Sequence, residues 1–129
     1  MTMHYQRGHE MSGYLTLTVE EDGSAQASSS GRGDLNRRTG SGMLTDAQRE
    51  RLHDVAEAAG LRDLTGSSRT IGDDEVPIVV TVDSREVRVW SQDAASIPGF
   101  EEFERTVRDL ADHLIGGPDG TEDGGASTQ

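Results

Sequence analysis

Leu15, Leu17 and Val19 alternate with Tyr14, Thr16 and Thr18, the period-two signature of a strand with one buried face. Glu21-Asp22-Gly23 follows as a turn. A two-residue Asp22-Gly23 loop would set Val19 opposite Gln26. A three-residue loop closing on a left-handed glycine instead sets Val19 opposite Ala25 and Leu17 opposite Ala27, which keeps the apolar residues on one face. The pattern predicts a hairpin over 13–29 with a bulge at Gly23. Its return strand is thin, because Ser28, Ser29 and Ser30 offer little to bury. Residues 30–42, rich in Gly, Ser and Arg, read as an exposed loop.

Thr45 opens the clearest helix. Gln48 stands three residues on, as in a capping box, and Gly60 occupies the place of a left-handed C-terminal cap. Leu52, Val55, Ala56 and Ala59 share its inner face, while Arg49, Glu50, Asp54 and Glu57 point to water. A polar loop over 65–75 leads to a second hairpin, Val76-Pro77-Ile78-Val79-Val80-Thr81-Val82 and Val87-Arg88-Val89-Trp90, joined through Asp83-Ser84-Arg85-Glu86. Val82 against Val87 and Val80 against Val89 align one apolar face, and Val79 against Trp90 makes a smaller pair on the other. Apolar residues on both faces predict central strands, with Pro77 at a strand start or bulge.

The last helix is expected from Ser96 or Ile97, with Pro98 in its first turn, Glu101 and Glu102 near its positive end, and Gly116 and Pro118 past its stop. Phe100, Phe103, Val107, Leu110 and Leu114 form its buried stripe. The reading is α+β: an antiparallel sheet of four to five strands, two hairpins plus a short N-terminal strand near residues 3–7, with two helices on one face, in the order β-β-β-α-β-β-α. Residues 1–115 form the domain. Residues 116–129 hold nothing to bury and are expected to be a disordered acidic, Gly-rich tail.

Charge narrows the partners. The 129 residues carry 12 basic and 24 acidic side chains, a formal net charge of −12. Nucleic-acid binding needs clustered cations, and the same field repels anionic headgroups. No apolar run approaches the ~20 residues of a bilayer span, so neither nucleic acid nor membrane is an expected partner. The N-terminus lacks the basic-then-apolar layout of a secretory signal, and with no cysteine no disulfide framework forms; a cytoplasmic protein is expected. Every basic residue is arginine, which fits a high-GC genome, and the surplus of carboxylates fits a halophilic source.

Candidate chemistry is sparse. The chain offers no thiol nucleophile and no Cys-ligated zinc. His4 and His9 lie five apart, a spacing that matches neither a helical face nor a strand face. His53 and His113 sit on the helices beside Asp54 and Asp112, where solvated helix residues are expected. Arg32-Gly33-Asp34 is a tripeptide this composition yields readily by chance. The runs Glu20-Glu21-Asp22 and Asp73-Asp74-Glu75 lack the alternation and fixed glycine of a calcium loop. The Gly-rich stretches lack the context and lysine of a phosphate loop. No metal, cofactor or catalytic residue is assigned.

Taken together, several segments resemble the emfourin-like proteins, small bacterial inhibitors of thermolysin-like metallopeptidases. They are Tyr5-Gln6-Arg7-Gly8, Ser12-Gly13, Leu15-Thr16-Leu17-Thr18-Val19 running into Asp22-Gly23, Leu44-Thr45-Asp46-Ala47-Gln48 with Leu52, Ala58-Ala59-Gly60-Leu61 and Leu64, the hairpin Ile78-Val79-Val80-Thr81-Val82 with Val87-Arg88-Val89, and the terminal helix with Pro98, Phe103 and Leu110. The resemblance spans about residues 3–115. One departure is Gly8-His9-Glu10-Met11-Ser12-Gly13-Tyr14, where family members often carry a Ser-Gly-Gly-Phe-like turn.

The resemblance implies a non-enzymatic binding protein whose loop enters the cleft of a zinc peptidase. Two loops supply candidate contact residues on grounds of position, not family motif: His9, Glu10 and Met11 in the first turn, and Arg69, Asp73 and Asp74 in the 65–75 loop. The other readings are an interaction module with an unrelated protein partner and an enzyme using paired carboxylates in a concave pocket. Monomer and homodimer both fit, with Val79 and Trp90 as the expected dimer face.

Overall fold

The computed structural model describes residues 2–9, 13–31 and 36–116. Within them, strands β1 (Met3–His9), β2 (Gly13–Val19), β3 (Ser24–Ser30) and β4 (Arg38–Met43) precede helix α1 (Asp46–Ala58). Strands β5 (Pro77–Val82) and β6 (Arg85–Trp90) follow, then α2 (Ser91–Ala94) and α3 (Phe100–Ile115). The strands form one sheet in the order β4-β3-β2-β1-β5-β6, with every neighbouring pair antiparallel. The α+β class and antiparallel sheet match expectation. The described residues hold six strands and three helices, however, not four to five strands and two helices.

The period-two residues of the first hairpin point to the helices. Val19 pairs with Ala25 and Leu17 with Ala27, and Gly23 has a φ of 93°, so the three-residue turn closing on a left-handed glycine forms as its sequence requires. Leu17, Val19, Ala25 and Ala27 are buried with Met3, Tyr5, Ile78, Val80, Val82, Val87 and Val89. Helix α3 lies across β2, β3 and β4, and α1 packs beside it. Thr45 caps α1: its Oγ1 accepts the Gln48 N–H at 3.1 Å, and the Gln48 Oε1 accepts the Thr45 N–H at 2.8 Å.

Four expectations need correction. The stretch 30–42 is not all loop, since Arg38–Met43 forms β4 on β3. Its residues are mostly exposed, so no side-chain periodicity announces it. Glycine makes it possible instead: a Cβ on Gly40 would lie 2.2 Å from the Leu114 carbonyl oxygen, and only a bare backbone admits the end of α3 this closely. In the second hairpin, Val80 pairs with Val87 and Ile78 with Val89, while Val79 faces Arg88 and Trp90 faces Pro77. The expected register is thus off by two residues, a shift that leaves every side chain on its predicted face. Asp83 and Ser84, with φ of 47° and 77°, form a two-residue turn of the primed type. The hairpin also differs in place, because β5 is interior but β6 is at the sheet edge. Finally, α3 starts at Phe100, not at Ser96 or Ile97. Gly99, at φ 83°, interrupts the chain there and leaves α2 as a separate short turn.

Beneath the sheet, Tyr5 is fully buried against Phe103, ring centroids 6.0 Å apart in an edge arrangement. Its hydroxyl donates to the Glu104 Oε2 at 2.6 Å, and Arg7 Nη1 donates to the same oxygen at 2.8 Å. Burial, with the negative neighbour second, pushes the Tyr5 hydroxyl far above its ordinary pKa. Gly116 closes α3 by donating to the Asp112 carbonyl at 2.8 Å; residues 117–129 of the expected tail lie outside the described residues. No described helix is long and apolar enough to cross a membrane.

Ser84 sits in a backbone region that L residues avoid. Replacing Ser84 by Gly is expected to stabilise the protein by up to about 1 kcal/mol, read as a higher urea midpoint at unchanged slope. A lower midpoint would refute this account of the turn.

Candidate protein-interaction surface

The 65–75 loop is held by a buried carboxylate. Glu75 is 3% exposed, and such a charge is stable only with full hydrogen bonding. Arg69 supplies a two-point pairing, Nη1 to Oε1 at 2.8 Å and Nη2 to Oε2 at 2.5 Å. The Gly72 N–H donates to Oε1 at 2.6 Å, and the Gln92 N–H to Oε2 at 3.3 Å. A Cβ on Gly72 would lie 2.9 Å from Oε1 and would push the carboxylate aside. The Arg69 pairing, more than the backbone bonds, holds Glu75 down to about 2.

The same arginine extends the network to β6 and α2. Arg69 Nη2 donates to the Asp93 Oδ1 at 3.1 Å. Ser67 donates its hydroxyl to the Asp93 Oδ2 at 2.6 Å while accepting the Trp90 N–H at 3.0 Å, and this hydroxyl, followed by Arg69, lowers the Asp93 pKa. The Ser67 N–H donates to the Arg88 carbonyl at 2.8 Å, and the Trp90 indole N–H to the Arg69 carbonyl at 2.7 Å. The loop therefore lies along β6 and covers its outer backbone. Gly66 permits this, because a Cβ there would meet the Arg88 carbonyl at 2.6 Å.

The candidate residues consequently divide. Arg69 spends its guanidinium on Glu75 and Asp93, whereas Asp73 and Asp74 are exposed at the turn closed by the Glu75 N–H on the Gly72 carbonyl at 3.2 Å. His9 ends β1, paired with Gly13 across the first hairpin. Glu10 and Met11 lie outside the described residues, as does Arg32-Gly33-Asp34. Of the expected dimer face, Val79 is half-buried and Trp90 is half-buried under the 65–75 loop.

The sheet face opposite the helices is polar. One cross-strand row runs Arg88, Val79, Gln6, Thr16, Ser28, Thr39, and the next runs Glu86, Thr81, His4, Thr18, Gln26, Ser41. Neighbouring side chains satisfy one another: Thr16 Oγ1 and Ser28 Oγ are 2.6 Å apart, and His4 Nδ1 and Thr18 Oγ1 are 2.8 Å apart. Sequence reading overlooked this surface because it assigned residues 30–42 to a loop and so stopped the sheet at β3.

The remaining acidic and histidine features are local. Asp22 accepts the Ser24 N–H at 2.9 Å and hydroxyl at 2.7 Å, closing the first hairpin turn. His53 lies 3.9 Å from Asp54 and 3.8 Å from Glu57 on the outer side of α1, and His113 stands in the last turn of α3. Among the described residues no three His, Asp or Glu side chains gather to hold a metal. No family profile and no curated protein sequence matches the chain.

Glu75 ionises near 2 in the folded chain against an ordinary value of 4.5. As pH falls the unfolded chain takes up this proton first, so the stabilisation is full above about pH 4.5 and drains away toward pH 2. Glu75→Gln is expected to lower the melting temperature at neutral pH and to make its decline between those pH values shallower. Melting curves of equal slope for the two proteins would show that the pairing does not do this.

Proposed function

We propose that this chain is a non-catalytic binding protein of the cytoplasm, and that its partner is a thermolysin-like zinc metallopeptidase whose cleft it blocks with a loop. The observation that supports this reading best is the locked conformation of the 65–75 loop around Glu75. A loop ordered before binding loses little freedom when it binds. Its exposed turn carries Asp73 and Asp74, carboxylates of the type that fill an open position on zinc. The emfourin-like resemblance supplies the partner class.

A second reading, an interaction module for an unrelated protein, is favoured by the polar sheet face between Gln6 and Thr39, which no described helix covers. The two are separated by residual activity of a thermolysin-like peptidase after preincubation with the purified protein. Stoichiometric loss of activity, with the chain uncleaved, is the expected result. Asp73→Ala with Asp74→Ala is expected to weaken inhibition by at least about tenfold, roughly 1.4 kcal/mol, at unchanged melting temperature. If His9→Ala with Glu10→Ala abolishes inhibition instead, the contact lies at the tip of the first hairpin. Full activity of several such peptidases would overturn the inhibitor reading and leave the sheet face in the lead.

A further inference from the structure

The two ends of the sheet are finished differently. At β6 the 65–75 loop supplies partners, with the Ser67 N–H on the Arg88 carbonyl and the Ser67 hydroxyl on the Trp90 N–H. At the other end β4 is the last strand, and five of its six residues are exposed. Its free backbone can be located. The Leu44 N–H donates to the Gly23 carbonyl at 2.9 Å, so Leu44, Gly42 and Gly40 turn their backbone groups toward β3. Alternation along an antiparallel strand then directs the N–H and C=O of Thr39, Ser41 and Met43 outward. An edge of this kind is a template for another strand.

We propose that β4 pairs antiparallel with β4 of a second copy, about a two-fold axis at Ser41, to form a dimer with one continuous sheet. The strand is complementary to itself in this register. Ser41 meets Ser41 of the second copy, and Thr39 meets Met43 at each end, so all three outward residues become hydrogen-bonded pairs that exchange six N–H···O bonds. Gly40 and Gly42 face one another in the intervening narrow pairs and bring no side chain into the gap. Met43, 64% exposed and the one large hydrophobic residue so exposed among those described, gains the Thr39 methyl group as a neighbour.

Charge selects the antiparallel second copy. With a net charge of −12, two copies repel over most of their surfaces. The β4 edge is polarised: Arg37 and Arg38 stand at its start, while its end adjoins exposed Glu20, Glu21, Asp22 and Asp46. The proposed register sets Arg38 opposite Leu44, two residues before Asp46. Each basic end therefore meets an acidic one, whereas parallel pairing would place arginine on arginine.

Sedimentation equilibrium from about 1 to 500 μM protein, at low and moderate salt, tests the proposal on the full chain. The expected mass rises from 13.9 kDa toward twice that value with concentration, more readily at moderate salt, where the repulsion between two copies of net charge −12 is screened. Ser41→Pro, which removes the central outward N–H at an edge position that tolerates proline, is expected to stay monomeric. Arg38→Glu is expected to raise the dissociation constant at least about tenfold, and adding Asp46→Arg to restore it to within about threefold. The amide protons of Thr39, Ser41 and Met43 are expected to exchange more slowly at the concentrations where the dimer forms, a readout that needs no variant should Ser41→Pro fail to fold. A single 13.9 kDa species throughout, a dimer indifferent to Arg38→Glu, or exchange at these three amides independent of concentration would each overturn it. The last result would leave the edge to a strand from a different protein.

Discussion

Strand β1 has a neighbour on both sides, β2 and β5, and within the sheet it is the strand that joins β2–β4 to the later hairpin. That junction depends on Tyr5. Its ring fills the layer between sheet and α3 against Phe103, and its hydroxyl and Arg7 both donate to Oε2 of the buried Glu104 carboxylate. A carboxylate in this position is tolerable because it is paired and hydrogen-bonded, and both donors come from β1. The arrangement therefore ties the seating of α3 to the presence of β1 in the centre of the sheet. Where α3 sits decides in turn that its C-terminal turn presses on Gly40, and so where β4 lies.

The sheet so formed has a buried face of Val, Ile, Leu and Ala and an open face of hydroxyls, amides and a few larger groups. Charged side chains are used as structural fixings: Glu104 under the sheet and Glu75 beneath the 65–75 loop. The second fixing shapes the surface. It converts a chain segment of mostly polar composition into a rigid surface and protects the β6 edge from intermolecular pairing. Among the described residues no segment covers the opposite edge at β4, and its bare backbone and opposed end charges shape what can approach it.

Legibility followed the source of each element's stability. The first hairpin, α1 and the stripe of α3 were readable because burial of alternating or helical-period side chains drives them, and the Thr45–Gln48 cap and Gly23 mark their ends. β4 was not readable, since backbone pairing and contact with α3 hold it while its side chains face water. The second hairpin was readable in its faces but not in its register: Asp83 and Ser84 adopt left-handed conformations usually associated with Asn and Gly. For the candidate surface, sequence picked out the 65–75 loop by its length and polarity. It did not separate Arg69, which is consumed in holding Glu75, from Asp73 and Asp74, which remain exposed.

By itself the sequence determined the class of fold, the apolar faces of the first hairpin and of the two long helices, and an excess of acidic charge, because local periodicity, capping groups and charge are properties of neighbours along the chain. Tertiary structure alone decided the strand order, the pairing of Glu75 with Arg69 and of Glu104 with Tyr5 and Arg7, and the difference between a covered and an open sheet edge. Each of these brings together groups whose approach depends on how distant segments pack. No local pattern encodes the space that Gly40 and Gly66 leave for a passing backbone until that backbone is in place.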